Sequence, residues 1–250
     1  MRTICVASVK GGVGKTTITC GLAKAFQRKG LLVGVLDLDY RNPECPLLLG
    51  ADSARIRHGP GDTLIPPEVD GIALFSMGMV WPTRTAVLVE DDLAVKDVRQ
   101  LLSPGTIAWP GGMDMLLVDS PPNSSGIVVA ALAAPGISGA LAVSHPSSLS
   151  IAALERTLDL FRQKGVPVYG VVSNQGSDLQ GQTRYDRTDA DVEALVKPYG
   201  LPIFAAIPHA SHLDPYFDML AEGLLKAQPA KLLMVSFPKA RWTKLLEALR

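Results

Sequence analysis

The residues with the clearest chemistry lie near the amino end of the chain, between two apolar segments. They read Lys10-Gly11-Gly12-Val13-Gly14-Lys15-Thr16-Thr17. Residues 3–9 have the length and β-branched content of a buried strand, and residues 18–28 carry apolar side chains at helical spacing. Glycines between a strand and a helix let backbone N–H groups surround an anion, and the helix N-terminus adds positive partial charge. The stretch therefore predicts a phosphate-binding loop.

Two side chains of this loop have expected roles. Lys15 would reach the β- and γ-phosphates of a nucleotide, and the Thr16 hydroxyl would hold Mg²⁺. The loop is unusual because Val9 stands where the common motif has glycine, and because Lys10 adds a second lysine.

Carboxylates follow two other strand-like segments. Residues 31–38 contain Asp37 and lead into Asp39, and a hydrophobic run over residues 115–118 ends in Asp119. In parallel α/β sheets ligands collect at the carboxyl ends of strands, which would bring these carboxylates beside the loop. Asp119 would bind Mg²⁺ through water, because Mg²⁺ gives up its water shell reluctantly. Solvated turn carboxylates are the alternative.

Four motifs follow one another along the chain: the loop with its early lysine, Asp37-Leu38-Asp39, Asp119-Ser120-Pro121-Pro122, and Asn174 at a strand end. Together and in this order they resemble the motifs of the MinD, ParA and Mrp group of P-loop ATPases. The resemblance implies that Lys10 crosses a dimer interface to the partner's phosphates. It also implies that Asp39 orients the attacking water and that Asp37 lies near Mg²⁺.

The same resemblance gives expectations for the nucleotide. Residues 11–17 would hold the phosphates, with Lys10, Lys15 and Asp39 as the catalytic set. Asn174 would read the adenine edge, and Pro208 and His209 would line the base pocket. A turn role for Asn174 is the alternative. His209 and His212 are spaced like a metal pair, but we favour loop histidines.

Within the group, the proline-containing stretch after Asp39 looks most like the Mrp-type carriers of iron–sulfur clusters. Those carriers hold the cluster with a CxxC pair that should follow Asn174, and residues 175–200 contain no cysteine. A cluster needs several thiolates, so we expect no iron–sulfur cluster and a protein cargo instead. The run after Pro122 also departs from the group, with Asn123, Ser124 and Ser125.

Length and composition are compatible with a single α/β domain. The chain has 250 residues, of which 47% are hydrophobic and 19% charged, with a formal net charge of zero. These values suit one α/β domain over residues 1–250 with helices on both faces of a sheet, and the resemblance implies the doubly wound, mostly parallel sheet of P-loop NTPases. The neutral charge gives no field toward nucleic acid, so we do not expect nucleic-acid binding.

Two segments stand apart from the predicted core. Residues 51–70 are rich in proline, glycine and charge and predict a mobile surface insertion. Residues 237–250 predict an amphipathic helix with basic residues around Trp242 and Leu246. Such a helix can lie at a membrane surface, but we favour packing against the domain or a partner.

We therefore expect a Mg²⁺-dependent, ATP-hydrolysing homodimer that closes through its ATP-binding face, with slow, partner-stimulated turnover, acting in cofactor or protein-complex assembly. Two alternatives stay open: a MinD- or ParA-like positioning ATPase that controls membrane or scaffold attachment, and a nearly inactive nucleotide-binding scaffold. Three widely spaced cysteines and no apolar run of membrane-spanning length indicate a cytoplasmic protein. Attachment to a membrane would require residues 237–250.

Overall fold

One mixed sheet organises the chain in the computed structural model, which describes residues 1–80, 91–122 and 126–232. Its eight strands follow the order β10-β9-β8-β1-β7-β2-β6-β5. They are β1 (Arg2–Ala7), β2 (Val33–Asp37), β5 (Glu68–Val69), β6 (Ile72–Ser76), β7 (Met115–Asp119), β8 (Gly139–Ser144), β9 (Val168–Asp178) and β10 (Ile203–His209). Only the pairing of β5 with β6 is antiparallel among the pairs of this sheet. The predicted mostly parallel sheet is confirmed.

Helices cover both faces of the sheet, because the central strands are buried on both sides. They are α1 (Lys15–Arg28), α2 (Cys45–Leu48), α3 (Asp91–Leu101), α4 (Gly126–Leu132), α5 (Ser148–Lys164), α6 (Asp189–Val196) and α7 (Asp214–Lys226). Apolar residues of α1, α2 and α7 form one core cluster, and those of α3 to α6 form the other. The doubly wound P-loop architecture that we predicted is therefore present.

The carboxyl-terminal half differs from the sequence predictions in three places. Residues 175–188 are polar and contain glycine, which predicts a flexible loop, but β9 continues to Asp178, which pairs with His209 of β10. We favoured a loop position for His209, but Pro208 and His209 both lie within β10. We did not predict α7, whose Phe217 and Leu220 are buried against α1.

Residues 51–70 contain short strands of their own. In β3 (Arg57–His58) and β4 (Leu64–Ile65) the backbones pair antiparallel. Leu64 is also tied to the loop before β7, since its N–H donates to Thr106 O at 2.8 Å and its carbonyl accepts from Ala108 N at 2.8 Å. The mobility of this segment remains a prediction.

Two predicted features lie outside the described residues: the amphipathic helix over residues 237–250, and the run Asn123, Ser124 and Ser125. In the part of the chain that is described, no helix is both long enough and apolar enough to cross a membrane.

Candidate functional site

The predicted site residues meet at the carboxyl edge of the three central strands. In the pairing of β7 with its neighbours, Asp119 lies opposite Val6 of β1 on one side and Asp37 of β2 on the other. The glycine-rich loop leaves β1 at this edge and enters α1 at Lys15. The sheet topology therefore places the loop and the two carboxylates together, as the motif order predicted.

The loop is shaped by glycines in the left-handed region. Gly12 has φ 75° and Gly14 has φ 88°, a backbone conformation that residues with a Cβ rarely adopt. Gly14 precedes the first turn of α1, and that turn carries no acidic residue. The N–H groups at the start of a helix lack partners within the helix, so this turn offers donors and positive partial charge to an anion.

Asn174 supports the loop from the end of β9. Its amide Nδ2 donates to Val13 O at 2.9 Å, and the residue is 2% exposed. A Cβ added at Gly14 would lie 2.3 Å from this Nδ2 atom, so the close approach also requires glycine. The structure thus brings Asn174 to the loop, and its contact with adenine stays a prediction.

Asp119 is held on both oxygens by α1. Thr16 Oγ1 donates to Oδ2 at 2.7 Å, and Thr19 Oγ1 donates to Oδ1 at 3.1 Å. Cys45 Sγ lies 3.8 Å from the same Oδ2. The sequence analysis missed Thr19 and Cys45. Thr19 could have been found, because it follows Lys15 by one helical turn and faces the same way.

Asp37 is fully buried, and its carboxylate accepts from Asp39 N at 3.0 Å and from Ser76 Oγ at 2.8 Å. Burial, followed by the negative charge of Asp119, raises the pKa of Asp37 to about 8. Burial likewise raises the pKa of Asp119 to about 6, although Thr16 and Lys15 oppose the increase. Two adjacent buried carboxylates are costly without a cation between them, so Thr16, Asp37 and Asp119 fit Mg²⁺.

The lysines of the loop differ in environment. Lys15 is buried, and this burial lowers the pKa of its ammonium group, against the opposing charges of Asp119 and Asp39. Lys10 is half-buried, and its Nζ donates to Ser150 Oγ in the first turn of α5 at 2.9 Å. Lys15 therefore lies inside the site, whereas Lys10 is held at its side by a residue that the sequence analysis missed.

The Asp39 side chain stabilises the turn that follows β2. One carboxylate oxygen accepts from the backbone N–H groups of Arg41 at 3.1 Å and Asn42 at 2.9 Å. From the other side, Pro122 approaches the loop, since a Cβ added at Gly11 would lie 3.4 Å from Pro122 Cβ. The segment after Asp119 thus lies next to the phosphate-binding loop, and Asp39 is close enough for its charge to act on Lys15.

Pro208 and His209 lie one strand beyond Asn174. Ile207 of β10 pairs with Asn174 in register, which puts Pro208 next in line at the same edge. Pro208 is buried and His209 is exposed. Their role in a base pocket stays a prediction.

Known proteins resemble this chain in sequence and in fold. The chain is 29% identical over 245 residues to the "Iron-sulfur cluster carrier protein" of Aquifex aeolicus, covering 96% of this chain and 64% of that protein, so it spans slightly less than two thirds of that relative's length. An ADP complex of a nucleotide-binding protein from Archaeoglobus fulgidus superposes with a TM-score of 0.70 at 28% identity, covering 89% of this chain and 87% of that one.

The fold is also that of MinD from Pyrococcus horikoshii, solved with Mg-ADP, at a TM-score of 0.67, 20% identity and coverage of 90% of this chain and 96% of that one. The profile described as "ParA: NUBPL iron-transfer P-loop NTPase" matches residues 1–234, nearly the whole chain. The loop, the strand-end aspartates and this match agree, and the chain belongs to the NUBPL iron-transfer P-loop NTPase family.

Proposed function

We propose that the protein is a Mg²⁺-dependent ATPase that works as a dimeric switch in iron–sulfur cluster assembly. The observation that carries the proposal is the bond from Thr16 to Asp119, which joins the phosphate-binding loop to the buried carboxylates. The name of the Aquifex relative supports the assembly role, and the ADP-bound Archaeoglobus structure supports nucleotide binding.

The loop would bind the phosphates through its backbone N–H groups and through Lys15. Because Lys15 is buried, water screens its charge only weakly. This strengthens its attraction for the phosphoryl group that is being transferred. Asp39 would position the attacking water, since its charge acts on Lys15 and its carboxylate is oriented by two backbone donors.

Thr16, Asp37 and Asp119 would hold Mg²⁺. When bound, the ion neutralises negative charge on the β- and γ-phosphates. The carboxylate ligands are already oriented by neighbouring hydroxyl groups: Ser76 donates to Asp37, and Thr16 and Thr19 donate to Asp119. Such outer partners fix the direction of the ligand oxygens and tune metal affinity.

Dimerisation would use the face that carries Lys10. In the single chain its ammonium group donates to Ser150. If the phosphates of a partner's ATP replaced the Ser150 hydroxyl as the acceptor of Lys10, the change would be favourable, because a charged acceptor roughly doubles the strength of a hydrogen bond. ATP would thereby draw two copies together, and hydrolysis would release them.

The cargo would be a protein rather than a cluster on the surface. The three cysteines of the chain, Cys5, Cys20 and Cys45, are all buried, with at most 3% of any of them exposed. A cluster shared between two copies needs accessible thiolates. Anaerobic reconstitution tests this point: iron and sulfide bound stoichiometrically in a cysteine-dependent way would contradict a protein cargo.

The main test is ATP turnover by matched variants. Lys15→Ala should abolish hydrolysis, and Asp39→Asn should abolish it while ATP still binds, since asparagine can keep the turn made by Asp39. Lys29→Ala is the control, because Lys29 lies just beyond the far end of the same helix and pairs with Glu222. Hydrolysis unchanged in Lys15→Ala or Asp39→Asn would contradict the proposed ATPase.

A further inference from the structure

The two edges of the sheet differ in length and charge. At one edge β5 has two residues and carries the exposed charge of Glu68. At the other edge β10 has seven residues, with no charged side chain from Ile203 to Ile207 and a proline, Pro208, only near its end. Proteins commonly protect a free edge with charged residues, proline or a very short strand. Among the described residues no strand pairs with the outer side of β10, so this edge is open to another strand.

A groove of about 580 Å³ lies between β10 and α6. Ile203 and Ala206 line it from the strand, and Glu193, Val196 and Lys197 line it from α6 and the turn that follows. Ala206 is exposed, and its small side chain lets a second backbone approach β10 closely. The groove can therefore receive a segment that pairs with β10 and packs against α6.

We propose that β10 and α6 form an interface with a second copy of this chain, in which the two β10 strands pair antiparallel about a two-fold axis. The inference goes beyond the proposed function, because this dimer needs no nucleotide. The candidate ATP-binding face lies at the carboxyl ends of the central strands, whereas β10 lies at the side of the sheet. One chain can therefore use both faces at the same time.

The spacing of strands and helices fits such a dimer. α6 contacts both β9 and β10, so it lies over these two strands. Neighbouring strands are about 4.8 Å apart, and pairing through β10 would therefore set the two α6 helices roughly two strand spacings, or about 10 Å, apart. Packed helices are separated by about 8–10 Å. The strand layer and the helix layer can thus close together, with the partner's α6 filling the groove.

The charges beside the groove are complementary to a second copy of themselves. Glu193 and Lys197 are exposed and one helical turn apart, and neither forms an ion pair with another described residue. A two-fold axis makes the two α6 helices antiparallel, so that Glu193 can face the partner's Lys197, and the symmetry forms this pair twice. Such pairs fix the register of an interface. This pattern favours a second copy of the chain over an unrelated peptide.

Sedimentation velocity of the full chain, without nucleotide and with a chelator, tests the proposal. We expect a dimer whose population rises with protein concentration. Ala206→Lys should weaken dimerisation by at least roughly tenfold, because it brings a charge onto the pairing edge. Glu68→Lys is the control, since it alters an exposed charge at the opposite edge of the sheet and should leave dimerisation unchanged. Thermal unfolding of each variant checks that the single chain still folds.

Charge reversal tests the geometry of the interface. Glu193→Lys alone and Lys197→Glu alone should each weaken dimerisation by about tenfold or more, because like charges then face each other on both sides of the axis. The double variant should restore dimerisation, since the opposite charges meet again with their positions exchanged. A wild-type chain that stays monomeric, or a double variant as weak as the single ones, would overturn the proposal. Because no ATP is present, these results are independent of whether the protein hydrolyses ATP.

Discussion

Thr16 Oγ1 donates to Asp119 Oδ2 over 2.7 Å, which links the first turn of α1 to the end of β7. Thr19, one turn further along the helix, donates to the other oxygen of the same carboxylate at 3.1 Å. Asp119 is therefore oriented by the same helix that carries Lys15.

Thr16→Ala should weaken the Mg²⁺-dependent part of ATP binding by about 10–100-fold, because it removes a metal ligand and one of the two α1 hydroxyls that orient Asp119. Nucleotide binding without Mg²⁺ should change much less, since the loop N–H groups and Lys15 remain. Calorimetric titration of ATP with Mg²⁺ and with a chelator measures both quantities. Thr16→Ser keeps the hydroxyl and should restore binding; an equal loss in Thr16→Ser and Thr16→Ala would contradict this role.

The position of Asp37, Asp119 and the loop could be predicted from sequence, because parallel strands bring their carboxyl ends to one edge. Each of these residues follows a recognisable apolar run, so the run fixes its place in the sheet. The two-faced burial of the strands also followed from their continuous apolar character.

Other parts of the site depend on packing between distant segments. Ser76 and Ser150 reach Asp37 and Lys10 only after β6 and α5 dock, and neither serine is part of a motif. Cys45 looked like an isolated thiol until α2 was packed against α1. The polar residues after Asn174 suggested a loop, yet Asp178 pairs with His209 of β10 and Gly176 O accepts from Arg184 N, which local polarity does not reveal.

Lys10→Ala should abolish ATP-dependent dimerisation and lower turnover by about 10³-fold or more, if Lys10 acts across the interface as arginine fingers do. ATP affinity of the monomer should change little, because Lys10 points to Ser150 in the single chain. Sedimentation velocity with ATP and the turnover rate measure the two effects.

Ser150→Ala is the matched control for Lys10. It removes the hydroxyl that holds the ammonium group, so Lys10 becomes freer to leave, and ATP-dependent dimerisation should be kept or strengthened. Ser147 still caps α5, accepting from the backbone N–H of residue 150. Dimerisation lost in Ser150→Ala and kept in Lys10→Ala would reverse the assignment.

Asn174→Ala should weaken ATP binding and reduce the preference for ATP over GTP. The donation from Nδ2 to Val13 orients the amide, so its Oδ1 is the atom left to accept from the adenine amino group. Guanine presents a carbonyl oxygen at that position and would be repelled. Competition of ATP and of GTP with a fluorescent nucleotide measures the affinity for each and therefore the preference. An equal loss for ATP and GTP would limit Asn174 to supporting the loop.

Asp37→Asn should stabilise the metal-free protein at alkaline pH. The pKa of Asp37 is raised to about 8 by burial and by Asp119, from about 3.9 in the unfolded chain. The folded protein therefore holds this proton more tightly, and the contribution to stability is full below about pH 4 and is lost as the pH rises through about 8. Urea unfolding with a chelator should give a free energy of unfolding that falls over this window in wild type and falls less in Asp37→Asn. Equal slopes in the two proteins would mean that Asp37 is already ionised without a metal, and that the carboxylate pair is neutralised by another cation of the site such as Lys15.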